Sequence, residues 1–214
     1  MDYMQERQHL VQTLREEGIT NERILNAFAT VPRHEFVPED QKALSYQNSP
    51  LPIGYEQTIS QPYTIAFMMD LLDPQPGDTV FEIGTGSGYQ AALLSKLVKH
   101  VYTIERIPEL SKQARTDIER LFLENVTVME GDGTCGYQDQ APFDGIIVTA
   151  GAPQVPTQLT NQLTNGRRLV IPEGSCWNHE LLKITREGAQ LNQESYPGFM
   201  FVPLIGECGW EAEK

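Results

Sequence analysis

Three glycines and three acids carry the chemistry open to this sequence. Gly84, Gly86 and Gly88 stand in "TVFEIGTGSGYQ", an apolar run that breaks into a G-x-G-x-G turn and then takes up a helical pattern. A turn of this kind lets backbone approach a ligand at the start of a helix. The dinucleotide fingerprint is spaced G-x-G-x-x-G and holds a pyrophosphate. Here Glu82 lies two residues before Gly84, and a carboxylate aimed at that place would repel phosphate. A ligand with a positive centre and no phosphate suits the charge better. Glu105 follows the next apolar run, and Asp132, with Gly133, lies in the "EGDG" that follows a third.

These residues need a scaffold that brings them to one edge. From Asp78 onward the pattern alternates: strands are expected at 79–83, 101–104, 126–129, 145–148 and 168–171, with helices at 89–97, 108–122 and 156–163. Alternation of this kind predicts an α/β fold, a Rossmann-like, doubly wound and mostly parallel sheet with right-handed crossovers. "HELLKITREG" and "FMFVPLIG" then read as strands of an antiparallel finish. Residues 1–77 form a helical and irregular extension, with helices over "RQHLVQTLREEG" and "ERILNAFATV" and a proline-punctuated path to Pro62, where another helix opens. The division expected is a covering segment over 1–77 and an α/β domain over 78–214, in one compact unit.

In such a sheet ligands bind beyond the carboxyl ends of the strands. Taken singly, the glycine turn reads equally as a tight connection, Glu105 as a solvated charge and Asp132 as a turn former. Three acids at three consecutive strand ends share one explanation, a ligand site. Glu105 suits two ribose hydroxyls, Asp132 an exocyclic adenine amine, and Glu82 an ammonium group. S-adenosylmethionine meets all three demands, whereas NAD meets only the ribose one.

Composition narrows the classes further. With 214 residues and a net charge of −13, the chain has no basic face for nucleic-acid phosphates. No apolar run is long enough to span a bilayer, and the charged N-terminus has no secretory pattern. Cys135, Cys176 and Cys208 are few, odd in number and far apart. That spacing argues against a disulfide framework and for a reducing compartment. Neither they nor the four histidines make metal-ligand spacing. A soluble, cytoplasmic protein is expected, a monomer with no nucleic-acid or membrane partner.

"VPRHEFVP", "PLPIGYEQTISQP", "VFEIGTGSGYQAALL", "VYTIERIPEL", "GDG", "APFDGIIVTAGAP" and "NGRRLVIPEG" together resemble the protein-L-isoaspartate O-methyltransferases, within the class I S-adenosylmethionine-dependent methyltransferases. The resemblance implies methyl transfer from S-adenosylmethionine to the α-carboxylate of L-isoaspartyl residues in damaged proteins and peptides, with S-adenosylhomocysteine as product. It also implies that Gln57, Thr58, Ile59 and Ser60 line the cofactor site with Glu82, Gly84, Gly86, Gly88, Glu105, Asp132 and Gly133. Thr58 and Ser60 would touch substrate, and Ser60 holds the position the family treats as catalytic. The bland alternative for Ser60 is a hydroxyl that caps the helix after it. Glu56, where glycine is frequent, and Ile205, where threonine is expected, depart from the family pattern. His34 is expected to pack or pair beneath the substrate loop, and Met68 and Met69 to fill core. Cys135, Trp177 and Trp210 are expected in loop or core roles. Other class I methyltransferases and a non-catalytic cofactor-binding homologue remain as alternatives.

Overall fold

The computed structural model describes residues 2–175 and 178–211. Its N-terminal third opens with α1 (Tyr3–Glu16), where the Asp2 side chain accepts from the backbone N–H of Met4 and Gln5. Asn21 caps α2 (Glu22–Thr30) in the same manner, which is what short polar side chains do at helix starts. Two 3₁₀ turns, Arg33–Phe36 and Glu39–Leu44, lead to a hairpin of β1 (Leu51–Gly54) and β2 (Gln57–Ile59). The stretch expected to be irregular therefore folds back on itself. Pro62 then begins α3 (Pro62–Leu72) at a position where its missing N–H costs nothing.

The sheet comprises β3 (Thr79–Ile83), β4 (His100–Glu105), β5 (Val126–Glu130), β6 (Phe143–Val148), β7 (Leu163–Ser175), β8 (Asn178–Glu187) and β9 (Gln190–Phe199). Their order is β5-β4-β3-β6-β7-β8-β9, parallel from β5 to β7 and antiparallel from β7 to β9. α4 (Tyr89–Leu94), α5 (Pro108–Arg120) and α6 (Thr157–Asn161) make the crossovers. After β3 the chain moves outward through β4 to β5, then returns to β6 on the other side of β3. The strand order thus reverses at β3, where ligands bind in doubly wound sheets.

Alternate residues of each strand serve opposite faces. Val80, Val101, Ile147 and Val170 pack with Leu14, Phe28, Ile65, Met68 and Met69. Phe81, Ile83, Ile146, Val148 and Leu169 pack on the other face with Leu159 and Leu204. Met68 and Met69 are fully buried, so they fill core as expected.

Two sequence expectations are corrected. "FMFVPLIG" is not a strand: β9 ends at Phe199, and the segment beyond makes single bridges such as Gly151 to Pro203. The sparse cysteines do pair: Cys135 and Cys208 form a disulfide with Cα atoms 5.5 Å apart, so their number and spacing carry no argument for a reducing compartment. They lie 73 residues apart in sequence, but the C-terminal segment folds across the strand ends and lands beside Cys135. Cys176 and Trp177 lie outside the described residues.

Candidate active site

The glycine turn is shaped by close packing. Gly84 has φ +93°, and a Cβ there would collide with the Thr149 hydroxyl, which donates to the Gly84 carbonyl at 2.7 Å. A Cβ on Gly133 would run into Ile104 and press on Ile83. Both walls can therefore approach a ligand only as bare backbone. Gly88 has φ +86° and faces Ala114 of α5 rather than the pocket, so its job is to let α4 pack.

One pocket gathers Gln57, Thr58, Ile59 and Ser60 from the hairpin with Gly84, Gly86, Glu105, Asp132 and Gly133. The hairpin lies over the glycine turn, and a Cβ on Gly86 would touch Ile53 of β1 at 3.5 Å. Ser60 lines the pocket, and the helix after it is capped otherwise. Gln61 stands at the N-cap without a side-chain bond, and the Tyr63 N–H is taken by Asn48 Oδ1 at 2.9 Å. Glu105 accepts from the Gly86 N–H at 2.8 Å and from the Ile107 N–H at 3.0 Å. Its carboxylate thus braces the turn while presenting free lone pairs to the pocket. Asp132 accepts from the N–H of Thr134 at 2.8 Å and of Glu207 at 2.7 Å. Burial alone would raise its carboxyl; the two amides and the Thr134 hydroxyl outweigh that and hold it below the ordinary carboxylate range.

Glu82 departs from its expected orientation. It shares the Val80 face, is fully buried and does not line the pocket. The Thr103 hydroxyl donates to its Oε2 at 2.6 Å, and Oε1 has no partner among the described residues. Burial pushes its carboxyl up to about 8, with Thr103 pulling it down and the Glu105 charge adding to the rise. Strand parity accounts for the placement: Ile83, not Glu82, faces the Gly133 wall.

Sequence reasoning missed several pocket residues. Thr85, Gln90, Arg106, Thr134, Thr149 and Leu204 also line it, and only their neighbourhood to the motifs pointed there. Ile205 lines the pocket too, so the departure from threonine falls on the site. Glu56 sits exposed at the hairpin turn with φ +59°. His34 stacks on Tyr3 with ring centroids 3.9 Å apart, bonds the Tyr46 hydroxyl at 2.7 Å through Nδ1 and faces Glu35. It packs and pairs, as expected, and stands apart from the pocket lining. Trp210 donates its indole N–H to the Gly151 carbonyl at 2.9 Å, pinning the C-terminal segment. Among the described residues no cluster of metal-ligating side chains occurs, and no helix is long and apolar enough to cross a membrane.

The donor set fits a nucleoside bearing a cationic amino acid. Acceptors at Glu105 and Asp132 stand on two strand ends, bare backbone lines the glycine turn, and Gln90 presents a buried Nε2 without a partner among the described residues.

A seven-stranded mixed sheet with its site at the order reversal defines a Rossmann-like fold of the class I methyltransferase kind. A Plasmodium falciparum beta-aspartate methyltransferase, solved in complex with S-adenosyl-L-homocysteine, shares the fold with TM-score 0.79 at 23% identity, over 92% of this chain and 97% of that one. A solved protein-L-isoaspartate O-methyltransferase superposes with TM-score 0.86 at 28% identity, over 94% of this chain and 66% of that one. The Trichlorobacter lovleyi protein-L-isoaspartate O-methyltransferase is 53% identical over 195 residues, 91% of this chain and 90% of its own. The family model for protein-L-isoaspartate(D-aspartate) O-methyltransferase matches residues 5–209. The chain belongs to that family, and it is an enzyme.

Proposed function

We propose the following roles for the pocket residues in methyl transfer from S-adenosylmethionine to the α-carboxylate of an L-isoaspartyl residue in damaged proteins and peptides. Glu105 accepts from the cofactor's ribose hydroxyls, and Asp132 from its adenine amine. Gly84, Gly86 and Gly133 give it room, with Gly88 and Glu82 supporting the turn from behind. Gln57, Thr58, Ile59 and Ser60, in the covering segment over 1–77, close the pocket. Ser60 and Thr58 offer hydroxyls to the substrate carboxylate. The observation that carries this reading is the meeting of hairpin, glycine turn and two strand-end acids in one pocket.

The bound cofactor supplies an electrophilic methyl on a sulfonium. The protein's own task is positioning, because an α-carboxylate has a pKa near 4 and is already ionised at neutral pH. No general base is required. Holding nucleophile and methyl in line is worth roughly 7–11 kcal/mol when the geometry is good. Neutral hydroxyl donors suit the substrate better than an arginine pair, which would stabilise the ground-state anion and blunt its attack. On this reading the enzyme's partners are isoaspartyl peptides and proteins. Its charge of −13 disfavours nucleic acid and anionic membrane.

The test separates cofactor from substrate residues. Glu105→Gln should weaken S-adenosylhomocysteine binding by roughly 10–100-fold, the loss of a charge-assisted bond. Ser60→Ala should lower kcat/KM on an isoaspartyl peptide by a similar factor while leaving that binding within about twofold. An unchanged kcat/KM for Ser60→Ala overturns the substrate role. Unchanged binding for Glu105→Gln overturns the ribose role.

A further inference from the structure

Glu82 is the one fully buried acid of the sheet with an unpartnered oxygen among the described residues, and it is joined to the pocket by hydroxyls. Its Oε2 meets Thr103 Oγ1 at 2.6 Å, and Thr103 Oγ1 meets Thr85 Oγ1 at 2.6 Å. Thr85 lines the pocket. Each threonine has one hydroxyl proton, so the chain has two states. With Glu82 ionised, Thr85 donates to Thr103 and Thr103 to Glu82. With Glu82 protonated, the carboxyl O–H donates to Thr103 and Thr103 to Thr85, which leaves the Thr85 proton free to turn to the pocket that residue lines.

Among the described residues no cation answers this carboxyl. Glu105 is the charged group whose field reaches it, and that field opposes ionisation. Of the elements around it, α3 carries Tyr63 and Asp70, α4 carries Tyr89, and β6 carries Asp144 at its opposite end. None of these contributes to its titration. Arg33, stacked 5.1 Å over the Tyr89 ring, does not contribute either. In the empty pocket the protonated state is favoured, since a lone buried carboxylate is expensive.

We propose that Glu82 gives up its proton through Thr103 and Thr85 when the cationic methyl donor fills the pocket, and regains it when the donor has become the uncharged thioether product. The step balances: the carboxyl O–H breaks, each hydroxyl passes one proton on, and the last proton leaves from Thr85 to water. The ionised carboxylate then faces a cation it did not face before. Methyl transfer removes the sulfonium charge, so the product meets a site that reprotonates and releases it. Glu82 thereby discriminates donor from product without touching either. This rests on the cofactor reading given above.

Calorimetry of S-adenosylmethionine and S-adenosylhomocysteine binding, in two buffers of different ionisation enthalpy at pH 7, counts the protons exchanged. The ligands' α-amino groups titrate in the same range, so Glu82→Gln supplies the baseline. The wild type should release about one proton more than Glu82→Gln on binding S-adenosylmethionine, and clearly less on binding the product. Its donor-to-product affinity ratio should rise by up to about tenfold from pH 7 to pH 9, relative to the variant. Should Glu82→Gln fold poorly, Thr103→Val keeps the carboxyl, removes its hydroxyl partner and should move the proton release to higher pH. Equal proton release in wild type and Glu82→Gln overturns the proposal, as does equal release with both ligands or an unmoved profile in Thr103→Val. Failure of the folded wild type to bind either ligand overturns the cofactor reading itself, and the two failures are distinguishable.

Discussion

Replacing Gly84 by alanine tests how the glycine turn is held. At φ +93° an L-side chain costs about 1–2 kcal/mol. The new methyl would also collide with Thr149 Oγ1, which donates to the carbonyls of Ile83 at 3.1 Å and Gly84 at 2.7 Å. Moving that hydroxyl forfeits a hydrogen bond, about 0.5–1.5 kcal/mol. Gly84→Ala should therefore lose roughly 2–3 kcal/mol in urea unfolding at constant m. Thr149→Ala alone should lose about 1 kcal/mol, and it removes the obstacle. The double variant should then be less destabilised than the sum of the two by about 1 kcal/mol. Strict additivity would show that Thr149 is not the obstacle. A neutral Gly84→Ala would refute the strain argument altogether.

Reducing Cys135–Cys208, or Cys208→Ser, opens a link across 73 residues and should cost about 4 kcal/mol by loop entropy, read as a lower Tm. Glu56→Gly at the exposed hairpin turn, φ +59°, should raise stability by roughly 0.5–1 kcal/mol by relieving left-handed strain. Arg33 is fully buried, with only a 3.3 Å bond to the Ser49 carbonyl and two nitrogens unpartnered among the described residues. Burial holds its guanidinium down to about 10, so Arg33→Met should be neutral or stabilising in denaturant unfolding. Glu82, raised from 4.5 to about 8, contributes stability that is full below about pH 4.5 and lost as pH rises through 8. Glu82→Gln should therefore gain on the wild type from pH 5 to pH 9, by on the order of 4 kcal/mol, in Tm scans across pH.

The parallel sheet was legible because its central strands β3 and β6 are buried on both faces and read as apolar runs between helical patterns. Thr79–Ile83 was expected to the residue. Helix ends were read too long: α4 ends at Leu94, not 97, and α5 at Arg120, not 122. α5 is ended locally, by Phe122 at φ +54° with the Leu123 N–H on the Ile118 carbonyl. β9 was missed because "QLNQESYPGF" is an exposed edge strand with no hydrophobic alternation, made by pairing with β8. "FMFVPLIG" has the apolar content of a strand, yet it spends those residues on the ends of the sheet, where Phe201 and Leu204 are buried. The disulfide depends on that long return and leaves no local trace. At the site, the strand-end acids and the hairpin motif were visible by type and spacing. The inward turn of Glu82 follows from strand parity, and its hydroxyl chain to Thr85 needs three dimensions.

The central claim is tested most directly by methyl transfer from labelled S-adenosylmethionine to two short peptides that differ only in an isoaspartyl or aspartyl linkage. Base-labile label on the isoaspartyl peptide alone is the predicted result. Label on both peptides, or on neither while the cofactor still binds, would contradict the account.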